Sequence, residues 1–255
     1  VTRLKHEALA LPGDILTALA LLTRLPVHRI FAVDFTRGAG ASWAYPLAGL
    51  APALIAAGVI ALTSLMGLAA GAAAAFGLLT LIVTTGALHE DGLADCADGF
   101  WGGHDRDRRL EIMKDSRMGS YGTIALVMSL LIRWYLMTGI VAQGGWLGPL
   151  LAVATLSRAT MPLLMAALPN ARGSGLSASV GVPERATVAL GLLLAVLGAF
   201  ALTGADALAP ILWTAVGVTT VAAIARTKIG GQTGDVLGAT QQVAEIAALA
   251  AFSAL

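Results

Sequence analysis

The sequence predicts an all-α, polytopic membrane protein with about seven transmembrane helices plus an N-terminal amphipathic or re-entrant segment. Three observations lead there. Of the 255 residues, 57% are hydrophobic and 12% charged, and the mean hydropathy is +0.82, too apolar for an ordinary water-soluble domain. Uncharged runs of about twenty residues, the length that crosses a bilayer core as a helix, recur along the chain. Lys and Arg collect in alternate connections between those runs, the pattern of a chain that crosses a membrane repeatedly.

Taken in order, the N-terminus has a basic start and an apolar run, the outline of a signal peptide, but Asp14 interrupts the run and no small-residue cleavage site follows. A full span there would put Arg3 and Lys5 opposite Arg24 and Arg29, so residues 8–26 are expected to lie on the cytoplasmic side. Gly38 to Leu88 carries no formal charge and holds two helices joined by a tight turn near Met66 to Gly71. Five more spans are expected over Tyr121–Ala142, Trp146–Leu168, Ala186–Thr203, Ala207–Ala225 and Val236–Leu255. The connections around Met66, Gln143–Trp146 and Thr203–Ala207 have no Lys or Arg, whereas the others hold Arg37, Arg106 to Arg117, Arg172, Arg185, Arg226 and Lys228. The basic set is therefore expected in the cytoplasm and the set without Lys or Arg on the far side of the membrane. Gly and Ala in stretches such as "LAAGAAAAFG" suit close helix packing. Trp43, Trp101 and Tyr121, near span ends, are expected as interfacial anchors. Cys96 is the single cysteine, which rules out an internal disulfide and a Cys-based metal cage and leaves it as a small space-filler. The whole chain, 1–255, reads as one membrane domain, with lipid around it and no nucleic-acid partner.

The chemistry is expected in "HEDGLADCADGFWGGHDRDRRLEIMKDSRMG", His89 to Gly119. Asp91, Asp95 and Asp98 fall at i, i+4 and i+7, within about 60° of one another on a helix. Three carboxylates on one face repel unless a cation sits among them, and all-oxygen ligands suit Mg²⁺ bound jointly with substrate phosphates. Gly92 and Gly99 leave room for a ligand near the backbone. Glu90 points away from this face and is expected in solvent. Arg106, Arg108, Arg109, Lys114 and Arg117 follow within about twenty residues and suit a phosphorylated substrate. For Asp105, Asp107 and Glu111 the simpler reading is pairing with these basic neighbours. Arg133 and Arg158 fall inside expected spans, where a charge pairs or lines a polar cavity; Glu245 is a candidate partner for Arg133.

The stretch "HEDGLADCADG" resembles the HxDGxADxxDG signature of the cobalamin synthase family, the adenosylcobinamide-GDP ribazoletransferases. The likeness continues in order through "LLTRLPV" (Leu21–Val27), "YPLAGL" (Tyr45–Leu50), "RRLEIMKDSRMGSYG" (Arg108–Gly122), "SRATMPLLMAALPNARGSGL" (Ser157–Leu176) and "IGGQTGDVLGATQQVAE" (Ile229–Glu245). The resemblance implies an Mg²⁺-dependent enzyme that joins adenosylcobinamide-GDP to α-ribazole, or to α-ribazole 5′-phosphate, and releases GMP. It implies that Asp91, Asp95 and Asp98 hold metal against the diphosphate and that one of them, or Asp235, takes the proton of the attacking hydroxyl. Lys114, Arg117 and Arg172 become candidates for phosphate, Arg158 for the site or its cavity, and His89 for the substrate or the helix beside it. Gly231 and Thr233 lie in "GGQTGD", a turn whose backbone N–H groups can meet an anion at a helix start. Association with other cobalamin-assembly enzymes and self-association stay open. Rival readings fit less well: the chain departs at Asp95 from the DGxxAR signature of CDP-alcohol phosphotransferases and lacks the NDxxDxxxD pattern of intramembrane prenyltransferases. A transporter would give no reason for the Asp face beside a basic segment.

Overall fold

The computed structural model describes residues 9–255; Arg3 and Lys5, which entered the orientation argument, lie outside them. Among the described residues the fold is helical, and the one non-helical pairing is an isolated parallel bridge between Asn170 and Gln232. Helices α1 (Gly13–Leu22), α2 (Tyr45–Leu65), α3 (Ala70–Thr85), α4 (Leu88–Gly102), α5 (Arg106–Ile112), α6 (Ser120–Gln143), α7 (Leu147–Ala167), α8 (Arg185–Thr203), α9 (Leu208–Ile229) and α10 (Gly234–Ser253) follow in order.

Among the described residues, five helical stretches are long and apolar enough to cross a membrane; α3 and α4, bent by 86° from one another, pass the same test only as a pair, and we take α3, the apolar half, as its spanning part. One of the five, Arg185–Ile229, is two helices, because the chain breaks at Gly204 (φ 61°, ψ −140°). Gly148 at the start of α7 lies against Leu202 at the end of α8, while Ala171, just past α7, shares the Arg106 side chain with Ile229 at the end of α9. Helices α8 and α9 therefore run in opposite directions as a hairpin. Counted so, α2, α3, α6, α7, α8, α9 and α10 are the seven membrane helices the sequence predicts. Their outer surface is apolar, with Leu65, Val83, Ile124, Tyr135, Leu197 and Val216 all exposed, as a lipid-facing surface requires.

The N-terminal segment is shorter than a span: α1 has 10 residues, about 15 Å of helix. Its Asp14, the residue that interrupts the apolar run, is buried. The carboxylate accepts two bonds from Arg37, one from the Trp43 indole and one from the Leu11 N–H. Arg37 and Trp43 sit in the 3₁₀ segment Phe35–Ala44, so the pair binds α1 to the entry of α2. Trp43 is thus a buried donor rather than an interfacial anchor, whereas Trp101 and Tyr121 are exposed.

At the end of α3, Gly86 (φ 67°) and Ala87 (φ 57°) are both left-handed, a conformation that Gly adopts without strain and that terminates helices. The chain turns by 86° into α4, which we read as lying across the end of the bundle, outside the membrane-spanning segments. It packs on α10 and α6. Glu90 does point away from the Asp face, but that direction leads into the bundle rather than into solvent. Arg133 of α6 donates to Glu90 at 2.9 Å and to Glu245 of α10 at 3.0 Å, and Gln242 also donates to Glu90 at 3.2 Å. The guanidinium, only 1% exposed, is out of reach of water, and with Arg158 in the field of the same two carboxylates the cluster sets two cations against two anions, which draws Glu90 inward.

Candidate active site

At the end of the bundle where α4 lies, a cavity of about 160 Å³ opens between α4, α10, the loop after α7 and the α1–α2 region; its walls include His89, Asp91, Arg172, Ser177, Asp235 and Gly238. Glycines set its geometry. A Cβ on Gly92 would stand 2.6 Å from the Asp235 carbonyl oxygen, and one on Gly238 3.2 Å from His89 Cα. The space beside Gly92 is therefore filled by α10 rather than left for a ligand, and this contact brings the carboxylates of α4 to Asp235. Gly99 plays a comparable part against Met113 and Arg109.

Arg172 reaches the same place by a different route. After α7 the chain pairs with the α9–α10 turn: Gln232 N–H donates to Pro169 O and Ala171 N–H to Gln232 O, both at 2.8 Å. Gly231 allows the approach, since a Cβ there would collide with the Pro169 carbonyl. Asn170 Oδ1 accepts the N–H groups of Arg172 and Gly173, which curls the loop so that the Arg172 guanidinium meets Asp235 Oδ2 at 2.8 Å. Its Nε is buried without a partner, a donor in want of an acceptor. Thr233 caps α10 by accepting from the Val236 N–H and donates to Asp235 Oδ2 at 3.2 Å. Gly231 and Thr233 thus shape the site through backbone and cap.

The electrostatics are those of crowded carboxylates. Asp95 is half-buried, and desolvation, followed by repulsion from Asp235 and Asp91, pushes its pKa up to about 7, against the pull of Arg172. Asp98, expected on the same metal face, has turned elsewhere: its oxygens accept the N–H groups of Gly119 at 2.7 Å and Gly122 at 2.9 Å. It serves the start of α6, where unpaired N–H groups favour an anion. Among the described residues, no group of three or more His, Cys, Asp or Glu side chains is gathered as a metal cage. The donor set is nonetheless all oxygen, with Asp91 and Asp235 on the cavity wall and Asp95 within their field. It fits a hard cation that completes its shell with water and phosphate oxygens.

The remaining sequence candidates are dispersed. Lys114 is exposed, and Arg117 pairs with Asp115 at 2.6 Å; neither lines the cavity. Arg158 lies inside the bundle on α7, donating to the Ala154 carbonyl and the Ser157 hydroxyl, about three turns short of the helix end that meets the site. His89 lies on the cavity wall, 1% exposed, with Nε2 unpartnered. As the simpler reading has it, Asp107 and Glu111 pair with Arg106 and Arg108, whereas Asp105 caps α5 by accepting the Arg108 backbone N–H. Sequence reasoning missed Ser174, Ser177 and Tyr45 on the wall, and Gln232, whose Oε1 accepts from Ser177 Oγ at 2.7 Å. Tyr45, Ser174 and Gln232 lie inside the stretches "YPLAGL", "SRATMPLLMAALPNARGSGL" and "GGQTGD", but nothing local sets them apart from their neighbours, and Ser177 falls just past one of these stretches.

The chain is similar to known proteins over nearly its whole length. The family described as cobalamin-5-phosphate synthase matches residues 14–253. A Mesorhizobium japonicum protein named adenosylcobinamide-GDP ribazoletransferase is 44% identical over 92% of this chain and 91% of its own. Proteins of the same name from Bradyrhizobium diazoefficiens and Azorhizobium caulinodans are 41% and 44% identical, each over 93% of this chain and over 92% and 94% of their own. No solved structure matches. The family match takes in the Asp-bearing α4, the Arg172 loop and the start of α10 together, and the chain belongs to the cobalamin-5-phosphate synthase family.

Proposed function

We propose that this chain is a multi-pass enzyme of the bacterial cytoplasmic membrane that joins adenosylcobinamide-GDP to α-ribazole, or to its 5′-phosphate, with the site facing the cytoplasm. The activity is the one its relatives are named for. The observation that carries the reading is the meeting of Arg172, whose Nε is buried without a hydrogen-bond partner, with Asp91 and Asp235 on the wall of one cavity, and with Asp95 in the field of both carboxylates. An Arg and a set of carboxylates that need a cation are complementary to a diphosphate with its metal. The basic residues Arg24, Arg106, Arg109 and Lys228 surround the same end of the bundle, which supports a cytoplasmic orientation. The segment 89–119 supplies only part of the site, the rest coming from the Arg172 loop and α10, so the catalytic unit is the whole chain.

In the reaction the ribose hydroxyl of the ribazole attacks the phosphorus attached to cobinamide. One P–O bond forms, the anhydride P–O bond breaks, and GMP leaves. Asp91 and Asp95 would hold Mg²⁺, which would supply charge neutralisation on the diphosphate and on the departing GMP. Arg172 takes a phosphate oxygen through the donor left free in its buried guanidinium. Asp235, whose Oδ2 is held by Arg172 and Thr233, receives the hydroxyl proton at Oδ1. Asp98 supports the site from behind through the start of α6.

Purified protein in lipid, given adenosylcobinamide-GDP, α-ribazole 5′-phosphate and Mg²⁺, is expected to release GMP and the joined corrinoid in equal amounts, measured by chromatography. Absence of GMP release with any divalent cation overturns the proposal.

A further inference from the structure

We infer that Arg106 is a positioning residue for Arg172, holding the phosphate-binding loop in place without touching the substrate itself. The inference rests on the role given to Arg172 above. By sequence Arg106 belongs to the basic segment that suits a phosphorylated substrate, yet its guanidinium is spent on backbone. Nε donates to Ile229 O at 3.0 Å and Nη2 to Ala171 O at 2.6 Å, while Nη1 meets Asp107 at 3.2 Å.

Each acceptor matters. Ile229 is the last residue of α9, so its carbonyl lies at the negative end of the helix and lacks an intrahelical donor. Ala171 immediately precedes Arg172. One cation therefore ties the end of α9 to the loop after α7, and the two segments are joined again by the backbone bonds between Ala171, Gln232 and Pro169. Arg172 leaves this short ladder toward Asp235. Arg106 is absent from the cavity wall, and its side chain is 51% exposed, so a substitution leaves no buried hole. Arg109 offers a contrast. It donates to the carbonyls of Gly103, His104 and Lys228, bonds of the same kind that do not reach the Arg172 loop.

The test is a double-mutant cycle with a second, activity-free measurement. Arg106→Gln is expected to raise KM for the diphosphate substrate roughly three- to tenfold, the range of the net contribution of one hydrogen bond, because the loop keeps its backbone bonds, with kcat little changed. In an Arg172→Ala background the same substitution is expected to add nothing, because the side chain it positions is gone. Arg106→Lys, which keeps the charge and one carbonyl bond, recovers part of the loss. Hydrogen exchange is expected to quicken in peptides covering residues 168–176 and 229–235 in Arg106→Gln and not in Arg109→Gln. KM effects that multiply in the double variant, or exchange in those peptides unchanged from wild type, overturn the inference. A wild-type protein that releases no GMP overturns the proposed function instead, and the exchange comparison still decides whether Arg106 tethers the loop.

Discussion

Asp91 and Asp98 stand seven residues apart on one helical face, yet their carboxylates meet different company. Asp91 is exposed on the cavity wall, free to hold a cation. Asp98 is buried against two N–H groups of α6, satisfied by hydrogen bonds that already offset its charge. Substitution should separate these jobs. Asp91→Asn and Asp235→Asn are expected to lower kcat by about 100-fold or more, the scale of losing a transition-state charge interaction, with no change in thermal stability in detergent. Asp98→Ala is expected to cost about 1–2 kcal/mol of stability, as for loss of a helix-capping side chain, read as a lower Tm. Near-wild-type GMP release by Asp91→Asn would remove Asp91 from the metal site. Periodicity places both residues on one face, but which oxygen finds a donor depends on the turn after α5, whose N–H groups are 21 and 24 positions away, beyond any local rule.

Helix α4 is the element on which the site depends. One side carries Asp91 to the cavity wall with Asp95 in its field, and the other carries Glu90 into the bundle against Arg133. The ion pairs of Arg133 with Glu90 and Glu245, extended by Gln242 and Gln241 to Ser157, fix the rotation of α4 about its axis relative to α6, α7 and α10. Glu90→Ala leaves Arg133 with one partner in a medium that cannot solvate it. The expected cost is about 3 kcal/mol or more, measured by thermal inactivation in detergent, with Glu90→Asp restoring part of it. Loss of activity at unchanged Tm would instead place Glu90 in the chemistry. The sequence identifies Glu245 as a partner for Arg133 because two opposite charges in apolar surroundings have few alternatives. It does not identify Glu90, because a residue beside a motif is equally free to face water until a neighbouring helix is known.

At the scale of the molecule, the basic connections gather at one end of the bundle and the turns around Met66, Gln143 and Thr203, which hold no Lys or Arg, lie between the far ends of the same helices. A membrane-impermeant thiol reagent gives the direction. A cysteine at Gln143 is expected to label from outside intact cells, and one at Gly103 only after permeabilisation. The native Cys96 is 3% exposed and adds little background. The reverse pattern would invert the orientation and put the cavity on the wrong side for a cytoplasmic nucleotide substrate.

Apolar length and the spacing of charges are local properties, so the number of spans, their boundaries and the acidic face of α4 are legible along the chain. So is Asp235, through the motif that contains it. The meeting of Asp91 with Arg172 and Asp235 is of another kind, since these residues are separated by 80 and more positions. It depends on Gly92 and Gly238 letting two helices touch, on Gly231 letting two loops pair, and on buried Arg133 drawing Glu90 inward. Such contacts are settled by shape and by the cost of an unpaired charge in a medium without water, and only the packed bundle decides which charges are left facing the cavity.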